Sequence, residues 1–498
     1  MSQVTEVVKL RRKVLTEIAR LTFADELIDN ISDILNTVVT EDGPRYRCCI
    51  HKERAVLQER IKLALSQPAN VSLEIAAQNA LNGSVADMPI VQVMPIACDQ
   101  CPIDKFLVTN ACRNCLAHHC INSCPKKAIM VVQNRAYIDK TKCIECGLCK
   151  KSCPYGAIIE VNRPCEGACD LKAITAGSDR RALIDYDKCV QCGGCKTACP
   201  FGAILDRSEI VQLIQALKSG KRVYAVMAPA FIGQFGAKVQ PSQVISALKQ
   251  VGFQDVYEAS YGADIVTIEE TSEFLQSVPD QRPFMTTSCC PAFVGMVEKH
   301  LPDLNHTVSS TVSPMIATGK VIKKNDSESV TVFIGPCIAK KAEAAHYAGV
   351  IDFAITFEEL ACIMVGAGIN ITAVAEADHK TTASLTANDF ARAGGVVQAV
   401  IKHAEKVSSD TVIKSHRAEG LNNCKIALLQ MKASKIDANF FEGMACAGGC
   451  VGGPGVLTNP KVTGKLVESY ASAAEYKTAT ENKSVVDTLN KGGHWHTK

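Results

Sequence analysis

Apolar residues recur at intervals of three and four along VVKLRRKVLTEIARL and ERAVLQERIKLALS, which predicts amphipathic helices through roughly the first ninety residues. That stretch ends in LNGSVADMP, a turn-rich break. From about residue 207 the pattern changes. RVYAVMAPAF predicts a strand running into a turn, SQVISALKQVGF an amphipathic helix, and VTVFIGPCIAKKAEAA a strand, turn and helix, with DVYEAS and CKIALLQMK continuing the alternation. Strands alternating with helices of this length imply an α/β domain with largely parallel sheets. Four regions are expected: a helical segment over 1–92, a cysteine-dense α+β block over 93–206, an α/β domain over 207–475 and a polar tail over 476–498.

Charge changes this picture little. A formal net charge of +3 over 498 residues gives no argument for a nucleic acid partner or a membrane surface. No apolar run approaches the roughly 18 residues of a membrane span. MSQVTEVVKLRRKVLTEIARL has no apolar signal core or cleavage site, so a cytoplasmic location is expected. Cysteine changes it greatly: there are 25, of which 16 fall between Cys98 and Cys199. Disulfide scaffolds are short secreted domains, so clustered thiols in a long chain point to metal instead.

The cysteine block repeats itself. CRNCLAHHCINSCPKKAI, CIECGLCKKSCPYGAI, PCEGACDLKAI and CVQCGGCKTACPFGAI share a C-x3-C spacing followed by Ala-Ile. The second and fourth carry the full C-x2-C-x2-C-x3-C-P run of bacterial ferredoxins, in which three thiolates hold one 4Fe–4S cluster and the fourth holds its neighbour. A zinc site would show paired knuckles, long spacers and no Cys-Pro. The first repeat has a widened gap. The third lacks its C-x2-C, while an orphan pair, Cys98 and Cys101, sits upstream. Sixteen thiols suffice for four 4Fe–4S clusters. The gaps favour Cys112, Cys115, Cys120 and Cys153 for one, and Cys143, Cys146, Cys149 and Cys124 for a second. Cys189, Cys192, Cys195 and Cys169 would hold a third, and Cys98, Cys101, Cys165 and Cys199 a fourth. Pairing repeats two and four also fits, and His118 or His119 could replace a thiol on an exposed cluster.

Five of the nine remaining cysteines lie in three short motifs: TSCCPAF with Cys289 and Cys290, GPCIAKKAE with Cys337, and FEGMACAGGCVGGPG with Cys446 and Cys450. Together and in this order the motifs resemble the signatures of the FeFe hydrogenases, over roughly residues 140–460. The resemblance implies a two-lobed α/β catalytic domain behind a ferredoxin-like multi-cluster domain. It implies a six-iron H-cluster: a 4Fe–4S cubane on Cys290, Cys337, Cys446 and Cys450, joined through Cys450 to a di-iron unit with carbonyl, cyanide and azadithiolate ligands. Lys340 would face a cyanide. Cys289 would stay free to pass protons, continuing through Glu270, Ser309 and Glu273. Ala228, Pro229, Ala230, Pro336, Met444 and Val397 would line the cofactor. The implied activity is reversible reduction of protons to hydrogen, with ferredoxin or flavodoxin as electron partner and dedicated machinery to install the di-iron unit. Glycines flanking Cys450 would let a bulky inorganic centre approach the backbone.

Several outer positions depart from the family pattern: Gly335 and Val397 replace methionines, Phe293 a tryptophan, Met315 a glutamine or histidine, Ala230 a serine and Ser277 an arginine. Such groups tune potential and rate, so a working site with altered bias is expected. A hydrogenase-like iron–sulfur scaffold predicts loss of Cys289 and Lys340, and a hydrogen sensor predicts an added PAS-like region; neither is seen. Cys362 and Cys424 read as core, and the second doublet, Cys48 and Cys49, as a helical packing position with a redox-sensing pair as the alternative.

Overall fold

The computed structural model describes residues 4–98, 101–102, 104–177, 179, 181–377, 379–408 and 412–497. The helix Glu6–Phe23 starts where the Thr5 hydroxyl accepts from the Val8 amide, and it buries Val14, Leu15, Ile18, Ala19 and Leu21. It lies along the helix Phe357–Gly366, and a Cβ at Gly366 would come within 2.7 Å of Ala19 Cβ. Helices Ile34–Val38, Ile50–Ala64 and Leu73–Leu81 complete a layer whose apolar core is continuous with that of the α/β domain. Arg11 clamps both oxygens of Glu358 at 2.7 and 2.9 Å, and Arg12 adds a third bond at 3.0 Å.

The α/β domain holds two parallel sheets. One has the order Asp255–Glu258, Val223–Met227, Val330–Gly335, Phe353–Thr356; the other Met285–Thr286, Phe440–Met444, Ser415–Glu419. Helices cover both, as parallel strands require. The loops after Met227, Gly335, Thr286 and Met444 carry the Ala228–Ala230 stretch, Cys337, the 289–290 doublet and Cys446. Four carboxyl ends of strands therefore converge, the usual location of a site in open α/β sheets.

The cysteine block contains one ferredoxin-like unit inserted into another. The outer unit pairs Val91–Val93 with Ile204–Asp206 and Ile174–Ala176 with Ala182–Ile184. The inner one pairs Phe106–Val108 with Ile158–Glu160 and Ile129–Val132 with Arg135–Ile138. The orphan Cys98 and Cys101 are thus the C-x2-C that the third repeat lacks, separated from it by the inserted unit. The boundary expected at 92/93 is corrected by the same pairing, since it cuts the strand Val91–Val93.

Two other expectations change. The segment after 475, read as a polar tail, forms the helix Lys483–Asn490 with Val485 buried, and Trp495 is only 4% exposed. Its apolar residues, Val485, Val486 and Leu489, span barely two turns, too short a run to stand out among polar neighbours. Cys48 and Cys49 are not packed in a helix. They are exposed just before the helix Ile50–Ala64, with sulfurs 3.7 Å apart. Cys362 and Cys424 are buried.

Candidate iron–sulfur and catalytic site

Cys290, Cys337, Cys446 and Cys450 come together in the cleft between the two sheets. Burial raises Cys446 well above the ordinary thiol range, followed by the effect of Cys337, Cys290 and Cys450. Cys337 and Cys450 are each pushed up to about 12, again by burial first and then by Cys290. Buried thiols gathered this closely can be thiolates together only if a cation compensates them, which fits a cubane. Among the described residues, no group of three or more His, Cys, Asp or Glu side chains is placed to hold a single metal ion. Pro336, Ala228, Ala230 and Met444 are buried around this cleft, with Pro229 half-buried.

Glycine here also serves the packing of the chain on itself. A Cβ at Gly449 (φ +83°) would lie 2.5 Å from the Ala393 amide nitrogen, and one at Gly453 2.6 Å from the Pro336 carbonyl oxygen. These glycines let backbone pack on backbone so that Cys446 and Cys450 face Cys337. Two departures from the family pattern are matched locally. The ring of Phe333 fills the space beside Gly335, 2.6 Å from where its Cβ would be, and Phe293 lies over Gly443, 2.2 Å from a Cβ there. Gly443→Ala must displace that buried ring between Cys290 and Cys446. Its thermal unfolding midpoint should fall, by an amount equivalent to roughly 1–3 kcal/mol, with loss of bound iron. Val397 joins a cluster with Phe274, Met285, Val400 and Phe440, and its amide donates to the buried Glu442 at 2.8 Å.

Lys340 is buried with its Nζ 2.6 Å from Glu343. Burial lowers its pKa, but Glu343 and the thiol sites outweigh this, so the amine stays charged.

On the other side of the doublet, the helix Ala259–Ser277 presents Glu270 and Glu273. Glu270 accepts from the Ser288 amide at 3.2 Å, and its Oε2 is buried with no hydrogen-bond partner, as are Oγ1 of Thr286 and Oγ1 of Thr287. Burial, then the charge of Glu273, pushes Glu270 up to about 8. Cys289 is raised well above the usual thiol value by burial and then by Glu270. In this surrounding Cys289 remains a protonated thiol. Glu273 is held low. Burial opposes its charge, but the Ser309 hydroxyl at 2.7 Å, the Ser310 amide at 3.0 Å and Arg282 outweigh it.

Arg282 was not singled out in the sequence. Its Nη2 is 2.6 Å from Glu273 and its Nε donates to the Ser277 hydroxyl at 2.8 Å. A guanidinium thus reaches Glu273 from outside the helix, over the serine that stands where the family has arginine. Only the basic residue following the cis Val278-Pro279 turn could have signalled it.

The accessory cysteines also fall into sets. Cys120 lies within electrostatic reach of Cys153, Cys112 and Cys115; Cys149 within reach of Cys143 and Cys146, with Cys124 in the same apolar cluster. Cys195 feels Cys192, Cys189 and Cys169, and Cys165 feels Cys199, Cys101 and Cys98. The Ala-Ile that ends each repeat has a purpose. Ala128, Ala157, Ala173 and Ala203 each donate an amide to the cysteine four residues earlier, at 3.2–3.4 Å, while the isoleucines enter the core. Amide donors on sulfur are what cluster thiolates accept. His119 is exposed and His118 half-buried. The outer unit is docked on the α/β domain: Lys299 donates to the carbonyls of Tyr186 and Cys189 at 2.8 and 2.9 Å, and Cys192 lies within reach of Cys446.

Two parallel lobes around a cysteine-lined cleft, served by ferredoxin-like units, define an iron–sulfur redox architecture. The family "iron only hydrogenase large subunit, C-terminal domain" matches residues 221–454, and the 4Fe-4S binding domain matches 136–159 and 182–205. Iron hydrogenase 1 of Clostridium pasteurianum is 31% identical over 382 residues, covering 65% of this chain and 65% of that protein. The periplasmic Fe hydrogenase large subunit of Nitratidesulfovibrio vulgaris is 30% identical over 380 residues, covering 65% of this chain and 87% of that protein. The structure of FeFe-hydrogenase HydA1 from Chlamydomonas reinhardtii shares the fold, at a TM-score of 0.50 and 22% identity over 58% of this chain and 98% of that one. A more distant match, 24% identical over 51% of this chain and 76% of that protein, is named a cytosolic Fe-S cluster assembly factor, from Danio rerio. The chain belongs to the iron-only hydrogenase large-subunit family. No helix among the described residues is long and apolar enough to cross a membrane.

Proposed function

We propose that the protein catalyses the reversible reduction of protons to molecular hydrogen. The observation that carries this reading is Cys289, a fifth thiol beside the set of Cys290, Cys337, Cys446 and Cys450, with Glu270 against one side and Lys340 on the other. Cys290, Cys337, Cys446 and Cys450 would hold the cubane. When bound, the adjoining di-iron unit supplies the open iron site and bridgehead amine at which hydrogen forms or splits. The chain's own residues do the rest. Lys340 Nζ offers a buried cation to an anionic iron ligand, while Pro336 and Met444 keep water from the cleft.

Cys289 Sγ holds a proton that it can exchange with Glu270, a carboxylic acid neutral at pH 7 because of its burial. Ser309 Oγ, bonded to Glu273 and near enough to Glu270 to lower its pKa, would pass the proton between them on rotating. Electrons would travel from the inner ferredoxin-like unit through the Cys98–Cys101–Cys165–Cys199 set to the Cys189–Cys192–Cys195–Cys169 set beside Cys446. Ferredoxin or flavodoxin would supply or accept them.

The test is hydrogen evolution by protein matured with the di-iron unit and supplied with a chemical reductant. Four accessory clusters and the six-iron centre predict roughly 22 iron atoms per chain. Full iron loading with hydrogen evolution is the expected result. Full loading with no turnover would turn the assignment toward an iron–sulfur scaffold or a sensor.

A further inference from the structure

The Glu273 side chain is only 13% exposed, so its exchange with solvent calls for a further group. Its guanidinium partner, Arg282, is 9% exposed at the side chain, and a guanidinium does not release a proton near neutral pH. The Ser309 hydroxyl and the Ser310 amide, also bonded to Glu273, are fixed within the site.

A second feature lies directly against this region. The segment 494–497 runs antiparallel to Ser310–Val312: the Val312 amide donates to the Trp495 carbonyl at 2.8 Å and the Thr497 amide to the Ser310 carbonyl at 2.7 Å. Trp495 anchors it in the core. This places the imidazole of His496 with Nδ1 2.9 Å from the Ser310 hydroxyl and Nε2 3.3 Å from Glu269 Oε2. The His496 side chain is 35% exposed and that of Glu269 24%. Lys320, on the neighbouring helix Pro314–Asn325, is engaged with the His494 carbonyl.

We propose that His496, paired with Glu269, is the proton port of this enzyme. It supplies the proton exchange that Arg282, the guanidinium held over Ser277 against Glu273, cannot. In the direction of hydrogen evolution, imidazolium Nδ1–H passes its proton to Ser310 Oγ. The hydroxyl's own proton goes to a Glu273 oxygen after rotation about the Ser310 Cα–Cβ bond, and Nε2 gives up nothing. The neutral imidazole, its Nε2–H still held by the Glu269 carboxylate, then takes a new proton from water at Nδ1 as the part-exposed ring turns away from Ser310. Uptake runs the same steps backward. Imidazole suits the role because each ring nitrogen can serve a different partner. His496 is a relay that positions and delivers protons through Ser310; it touches neither iron ligand nor thiol.

This rests on the proton-reduction reading, and the experiment separates the two. In matured protein at low buffer concentration, His496→Ala should evolve hydrogen at least roughly tenfold more slowly than wild type. Added free imidazole should restore the rate and leave wild type unaffected. Trp495, the only tryptophan in the chain, reports whether the segment stays docked. If its emission shifts in the alanine variant, His496→Gln, which keeps a hydrogen-bonding side chain without titrating, decides instead. Infrared spectroscopy gives a readout independent of turnover. After transfer to D2O, the carboxylic acid band assigned by its loss in Glu270→Gln should shift more slowly in the His496 variants than in wild type. Unchanged turnover, no imidazole rescue or equally fast exchange overturns the port. An inactive wild type overturns the function instead, with the infrared comparison still deciding the port.

Discussion

Cys289→Ala should lower hydrogen evolution by about 10²-fold or more while iron content and the electronic spectrum of the clusters stay as in wild type. The size follows from removing a positioned proton donor, a loss of roughly 10²–10⁴ in rate. Cys289 is the thiol that burial and Glu270 keep protonated, with Cys290 next to it assigned to iron. Alanine removes the proton-carrying sulfur and leaves the ligand set in place. The same pattern gives a pH dependence. Glu270, pushed up to about 8, is the acid that resupplies Cys289, so evolution should decline as pH rises through that value. Iron quantified per chain and gas-phase hydrogen, measured together across pH, check both points. Retained turnover in the variant would remove Cys289 from the proton route, and loss of iron would make it structural.

Much of this site was legible because iron–sulfur ligation is written locally. A C-x2-C-x2-C-x3-C-P run places three thiolates on one turn, and no distant contact is needed to recognise it. The parallel α/β domain was legible for the same reason, since strands such as Val223–Met227 and Val330–Gly335 are short continuous apolar runs followed by helices. What escaped was non-local. Cys98 and Cys101 looked orphaned because their unit closes through Val91–Val93 pairing with Ile204–Asp206, more than a hundred residues away.

Arg282 escaped because a guanidinium can reach Glu273 from any backbone position that points toward it, whereas the sequence pattern marks only the helix position where Ser277 stands. Segment 494–497 escaped because one tryptophan among polar residues gives no periodicity, although that tryptophan decides where His496 lies. Gly335 read as a plain departure, and Gly443 was not singled out, until Phe333 and Phe293 were seen to occupy the room they leave.

Asp206→Ala should cost about 3–5 kcal/mol, the range for breaking a buried ion pair by removing one partner. Asp206 lies at the junction of the three parts of the chain. Its carboxylate binds Lys196 Nζ at 2.5 Å, between Cys195 and Cys199, and Lys341 Nζ at 2.8 Å, on the helix that follows Cys337. Lys341 also binds Glu359 at 2.8 Å, and the neighbouring Glu358 is held by Arg11 and Arg12 of the first helix. Lys196, Lys341, Asp206 and Glu359 are all nearly inaccessible. Alanine would leave two buried ammonium groups sharing Glu359 and the more distant Glu358, with no water to replace the lost carboxylate. Burial alone would raise the Asp206 pKa, but Lys196 and Lys341 outweigh it and hold the carboxyl far below the usual range. A folded-state pKa depressed in this way contributes stability above the unfolded value, roughly 3.9, and loses it as pH falls. The wild-type unfolding midpoint should therefore drop as pH is lowered below about 4, and the gap between wild type and variant should narrow over the same interval. Thermal unfolding followed by cluster absorbance and by far-ultraviolet dichroism measures both. A variant within 1 kcal/mol of wild type at pH 7, on the order of the worth of an exposed pair, would show that the junction is held by apolar packing rather than by this charge.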